Sequence, residues 1–138
     1  MAVTGNLTTV SIGDAELLNE YPTINDYRPS AWTDWSGPLA DGAREAARDF
    51  RSLTGRDPSR AVAVDDNDWK LFLLQKTMVV IFRKFSSFAD ELKNYEDGSD
   101  TALRRFVYRY DFNDDGALSS TEVEDSEIQT LHGIRLRR

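Results

Sequence analysis

Apolar residues recur along this chain at two different spacings. Leu39, Ala43, Ala46, Phe50 and Leu53 follow one another at steps of four, three, four and three, with Asp41, Arg44, Glu45, Arg48 and Asp49 between them. That is the period of a helix with one buried and one wet face. It predicts a helix from Ser36, a capping residue, through Pro38 in the first turn to about Thr54, where Gly55 closes it. Upstream, Ala15, Leu17 and Leu18 predict a short helix capped by Asp14 and stopped after Tyr21 by Pro22. From Trp69 to about Leu92 the pattern changes. Phe72 to Phe82 is apolar on nearly every side, which marks the central post of a core, one helix about 35 Å long started by Asp66 or Asp68. After a turn or hinge at "EDGSD", Asp100 caps a fourth helix whose stripe is Ala102, Leu103, Phe106, Val107 and Tyr110.

The segments between these stripes carry no helical period. Residues 1–13 are small, β-branched and polar, an extended arm or loose terminus. "PTINDYRPSAWTDWSG" mixes turn formers with Tyr27, Trp32 and Trp35, and a loop with that much aromatic surface must rest on something. Gly55 to Asp65 reads as a linker with a brief extended piece at Ala61 to Val64. At the end, "HGIRLRR" alternates Ile134 and Leu136 with arginines, the pattern of a short strand or docking tail. The expected fold is mainly α: a four-helix bundle-like single domain with an extended or short β C-terminal tail. Its parts are the arm 1–13, a helical domain 14–127 and the tail 128–138.

Composition narrows the function classes. A chain of 138 residues suits one domain with its own core. Cysteine is absent, which removes disulfides, thiolate chemistry and Cys-based zinc sites. The net charge of -7 disfavours general affinity for nucleic-acid backbones or anionic membranes. No secretory signal is visible in the first residues, and Leu71 to Phe82, interrupted by Lys76, is too short to span a membrane. With one histidine, His132, near the tail and no phosphate loop, zinc spacing or nucleophile elbow, an enzyme is not expected.

The most chemically explicit stretch is "YDFNDDGALSSTE", residues 110–122. A hard cation wants several oxygens at about 2.3 to 2.6 Å, and a twelve-residue loop supplies them from alternating side chains plus one backbone carbonyl. Asp111, Asn113 and Asp115 fill the first three ligand places, Gly116 allows the sharp turn, Ala117 offers its carbonyl, Ser119 binds directly or through water, and Glu122 closes with two oxygens. This segment resembles the EF-hand family over residues 101–123. The resemblance implies bound Ca2+ at 111–122. Sensor EF-hands work as pairs, but "DDNDWKLFLLQK" and "YEDGSDTALRRF" lack the ligand pattern, and Ser126, Glu127 and Thr130 weaken any exiting helix. Both departures favour a structural calcium over a switch.

Two further features are candidate partner surfaces. One is the aromatic loop with Trp32 and Trp35, whose plainer role is to lid the core. The other is the tail, Ile134, Arg135, Leu136, Arg137 and Arg138, able to grip an acidic neighbour.

The layout as a whole adds a second resemblance. The short helix in "DAELLNEYPTI", the "DWSGPLADGAREAARDFRSLTGRDP" helix, the long apolar helix, the acidic connection and the basic end resemble the tailed-phage head-to-tail connector, or adaptor, family. That resemblance implies a virion protein assembled as a homo-oligomeric ring, commonly a dodecamer. Such a ring docks beneath the portal and bridges to the tail proteins, and DNA passes through it without specific binding. The calcium loop is a departure from that family, and would brace the chain between the fourth helix and the tail. The alternative is a free EF-hand-like module that buffers or senses calcium. A third reading is a generic adaptor binding through Trp32 and Trp35.

Overall fold

Five consecutive residues at the end of one helix, Met78 to Phe82, are all buried, and the rest of the fold is arranged to cover them. The computed structural model describes residues 3–84 and 88–112. In chain order these form α1 (Asp14–Glu20), α2 (Ser36–Thr54), β1 (Ala61–Ala63), α3 (Asp66–Phe82), α4 (Ala89–Arg105) and β2 (Tyr108–Tyr110). Short 3-10 turns lie at Leu7–Thr9, Ile24–Tyr27 and Pro58–Arg60. Among the described residues the protein is therefore mainly helical, as the periodicities predict, with one small antiparallel sheet whose second strand falls where a helix was expected.

α3 is the central post, and it is capped by Asp65, whose carboxylate accepts the Asn67 N–H at 2.9 Å. The expected single helix from Trp69 to Leu92 is, however, two. α3 ends at Phe82, where Arg83 and Lys84 close its last turn onto Val79 and Ile81, and α4 starts at Ala89. The reason is burial: a helix apolar on every side needs cover on every side, and an unbroken rod would carry Leu92, Tyr95 and Leu103 away from α3 instead of folding them back along it. Phe82 now stacks on Tyr95 with ring centroids 5.7 Å apart, and at the far end Trp69 meets Phe106 at 5.1 Å.

The reversal also overturns the expected start of the fourth helix. "EDGSD" lies inside α4 rather than at a hinge, and Asp100 is mid-helix, bound to Arg104 one turn on. Gly98 is there because α3 comes close: a Cβ at that position would meet the side-chain oxygen of Gln75. A second close approach sets the other crossing. On α2 the buried positions are Pro38, Gly42, Ala46 and Phe50, and a Cβ on Gly42 would lie 2.9 Å from the Thr77 Cα of α3. Of the stripe expected on α2, Ala46 and Phe50 are buried, but Ala43 and Leu53 are exposed. The face actually used is turned towards the glycine because only there can the two backbones approach.

α4 stops at Arg105, so the expected run to Tyr110 is also corrected. From Phe106 the chain is extended, and β2 pairs antiparallel with β1 in the register Ala61↔Tyr110, Val62↔Arg109 and Ala63↔Tyr108. The extended piece expected at Ala61 to Val64 is thus β1. Large rings stand opposite small residues across this ladder, so Tyr108 and Tyr110 reach the core beside Phe50 and Phe106 without crowding.

The core has two lobes strung along α3. One gathers Phe50, Trp69, Phe72, Phe106 and the sheet; the other gathers Leu17, Ile24, Trp35, Met78, Ile81 and Phe82. The N-terminal segment belongs to the first lobe. Its described part is not loose: Val3 and Leu7 are buried, and the Val3 N–H donates to the Ser59 carbonyl at 2.9 Å. α1 is capped by Gly13, whose N–H is taken by Glu16 at 3.2 Å, with Asp14 as the first helical residue instead of the cap. No helix among the described residues is long and apolar enough to cross a membrane.

Candidate functional site

The chain leaves the described domain through β2, and that exit is fastened by named groups. The Asp111 N–H donates to the Arg60 carbonyl at 2.9 Å, and Arg60 Nε donates back to the Asp111 carbonyl at 3.0 Å. The Arg60 guanidinium lies over the Tyr110 ring at 5.0 Å, and Arg56 lies over Tyr110 at 5.0 Å and Phe112 at 4.5 Å. Cation–π contacts of this kind contribute about 0.5–1 kcal/mol each at exposed sites. Tyr110 Oη accepts the Asp57 N–H at 3.2 Å, tying the exit strand to the linker that precedes β1. Asp57 in turn caps the Pro58–Arg60 turn. The Ser59 N–H holds its carboxyl below the usual carboxylate range, with the Ser59 hydroxyl, Arg51 and Arg60 acting in the same direction against partial burial. Local spacing does not mark Arg56 and Arg60 as partners of Tyr110. The alternation of Phe106, Tyr108 and Tyr110 is the one available signal.

Asp111, the first expected calcium ligand, is wholly buried at 0% exposure. Asn113, Asp115, Ala117, Ser119 and Glu122 lie outside the described residues, as does His132. Among the described residues no three Asp, Glu or His side chains gather in a group able to hold a metal ion. One part of the EF-hand expectation is corrected: the segment leading into Asp111 is a strand, since α4 has ended at Arg105. The chain reaches Asp111 from a strand, and Arg60 holds it there.

The expected aromatic surface has a different role for each tryptophan. Trp35 is 1% exposed and its Nε1 donates to Asn25 Oδ1 at 2.7 Å, so it is a core residue and presents no docking surface. The physical reason is the all-apolar end of α3, which needs a lid that α1 alone is too short to provide. Trp32 is half-buried, edge-on to Trp35 at 6.0 Å and beneath the Lys84 ammonium at 5.8 Å. Tyr21 packs on Phe82 and Tyr27 on Phe88. Tyr95 completes this lobe and donates from Oη to Glu20 at 2.9 Å; burial first, and then the Glu20 carboxylate, push its phenol well above the usual tyrosine range. The remaining expected partner residues, Ile134, Arg135, Leu136, Arg137 and Arg138, lie outside the described residues.

Two grooves flank α4. One, of about 430 Å³, runs between α2, α3 and α4 over Leu53, Phe72, Val79 and Leu103, and has the Lys76–Asp49 ion pair at 2.5 Å in its wall. The other, of about 480 Å³, lies between the start of α3 and the end of α4, over Leu71, Ala102 and Phe106. No protein family, curated protein or solved structure matches the chain.

Proposed function

We propose that the chain is a structural subunit of the head-to-tail connector type: a virion protein that assembles as a homo-oligomeric ring, commonly twelvefold, between portal and tail proteins. What supports this reading is the order of elements. A short helix, an aromatic lid, α2, an apolar post and an acidic α4 form one helical unit, and the chain then leaves it through a strand fixed by Arg56 and Arg60. A subunit of this design has a rigid body and a held exit, so that the basic segment beyond it is delivered to a neighbour in a defined direction. In the loop 111–122 a structural Ca2+ would extend the fastening from Asp111 towards the tail. The acidic surface suits a conduit through which DNA moves without adhering.

Mass in solution combined with bound-metal analysis and electron microscopy of the purified protein tests the proposal. The expected result is a closed ring carrying calcium. A strict monomer at all concentrations, with no effect on particle assembly when it is missing, would overturn it. A monomer that exposes apolar surface on adding calcium would instead support the free calcium module.

A further inference from the structure

The groove between the start of α3 and the end of α4 joins exposed apolar residues to a mainly acidic rim. Leu71 on its floor is 48% exposed and Val64 is 44% exposed, the two most open of the large apolar side chains among the described residues. Val64 is not a lining residue, but its backbone lies near the groove's end, where its N–H donates at 3.2 Å to the carbonyl of Val107, the residue after the groove-lining Phe106. Asp68 and Asp97 line the groove from opposite helices, and Asp65 and Asp66 precede Asp68 at the head of α3. Arg105 is the one cation among its described lining residues. Such a site suits a short segment in which apolar side chains alternate with cations.

The chain contains one such segment outside the described residues, Ile134 to Arg138, with Ile134 and Leu136 separated by Arg135 and followed by Arg137 and Arg138. We infer that this tail docks in the α3–α4 groove of its own chain, Ile134 and Leu136 towards Leu71 and Val64 and the arginines towards Asp68 and Asp97. Reach does not prevent it, since the stretch from Phe112 to Leu136 can extend to about 80 Å at 3.3 Å or more per residue. Tethering favours it: a linked segment sees its own groove at an effective concentration on the order of millimolar, well above any partner in dilute solution. The docked tail would be a stored form, released when a neighbour with a better acidic surface competes. This goes beyond the ring proposal and does not depend on it.

Because the chain has no cysteine, the full-length protein can carry a single reporter pair. Leu71→Cys with Leu136→Cys, joined by a short bismaleimide in dilute solution, should give a cross-linked monomer whose yield does not change with concentration. Leu53→Cys with Leu136→Cys probes the other groove through the same tether, and the first pair should exceed it by at least about fivefold, a margin that tethering alone does not produce because it raises both yields alike. Val64→Cys with Leu136→Cys should behave like the first pair. Adding Asp68→Asn and Asp97→Asn should bring the yield down to the control level. Equal yields in both grooves, or cross-links only between chains and growing with concentration, would overturn the inference. Rings that form without this cross-link would end it while leaving the ring proposal intact. The cross-link in a protein that never forms rings would do the reverse.

Discussion

Replacing Gly42 by alanine puts one methyl group at the tightest point between α2 and α3. The new Cβ would press on Thr77 Oγ1 and lie 2.9 Å from Thr77 Cα. The hydroxyl could rotate away, at the cost of its hydrogen bond to the Leu73 carbonyl at 2.8 Å, but the Cα belongs to the backbone of the central helix and cannot. Relief therefore requires α2 to move off α3, which loosens the packing of Ala46 and Phe50 on the same face. Overpacking of this kind costs about 1–3 kcal/mol. Against it stands the better helix propensity of alanine, worth up to about 1 kcal/mol at an interior position. The net expectation is a loss of about 1–2 kcal/mol, or roughly 3–8 °C in melting temperature for a domain of this size. Gly37→Ala is the matched control: it is in the same helix, nothing lies within 4 Å of its Cβ, and it should be neutral or slightly stabilising. Urea unfolding and thermal melting of the two variants beside the parent decide the matter. If Gly42→Ala melts at or above the parent temperature, α2 and α3 do not cross in backbone contact at this glycine.

Phe50→Ala should cost about 3–5 kcal/mol in the same urea assay, because Phe50 is fully buried and its ring meets Trp69, Phe106 and Tyr108; a loss under about 1 kcal/mol would contradict that packing. Tyr95 gives a pH signature. Its phenol is raised in the folded state, so the associated stability is fully present below the unfolded value of 10.0 and is lost as the pH climbs above it. Tyr95→Phe should flatten the alkaline limb of the stability profile, and an unchanged slope would mean that the burial and the Glu20 contact are not felt. For the proposed calcium loop, adding the ion should raise the melting temperature in proportion to RT ln(1 + [L]/Kd). Asp111→Ala with Glu122→Ala should abolish that rise, and an identical calcium response in the double variant would remove the loop from the proposal.

Part of the candidate site could be read directly from the residues, and part could not. The closure of α2 was legible in Gly55 itself, since glycine adopts without strain the left-handed conformation that ends helices, and its φ is 70°. The expectation that the aromatic loop rests on something also follows from composition, since Tyr27, Trp32 and Trp35 cannot all be left in water. Which tryptophan would be buried was not legible, because both stand in a loop without a period. The Arg56–Arg60–Tyr110 fastening was hidden for another reason. Arg56 and Arg60 lie far from Tyr110 in sequence and meet it only when β1 and β2 pair.

By itself the sequence determined that this protein is mainly helical, with an amphipathic α2 and an apolar post that must be enclosed, since those properties reside in local spacing and in water's rejection of apolar surface. It could not determine where the post ends or which backbone conformation the chain adopts after Arg105. Leu103, Phe106, Val107 and Tyr110 satisfy a helical stripe, while Phe106, Tyr108 and Tyr110 satisfy a strand equally well. Only the tertiary structure chooses, by folding α4 back on α3 and setting Ala61 and Ala63, small residues far earlier in the chain, opposite the two tyrosines. A choice between two locally acceptable backbones is made by the partner that each would have to find.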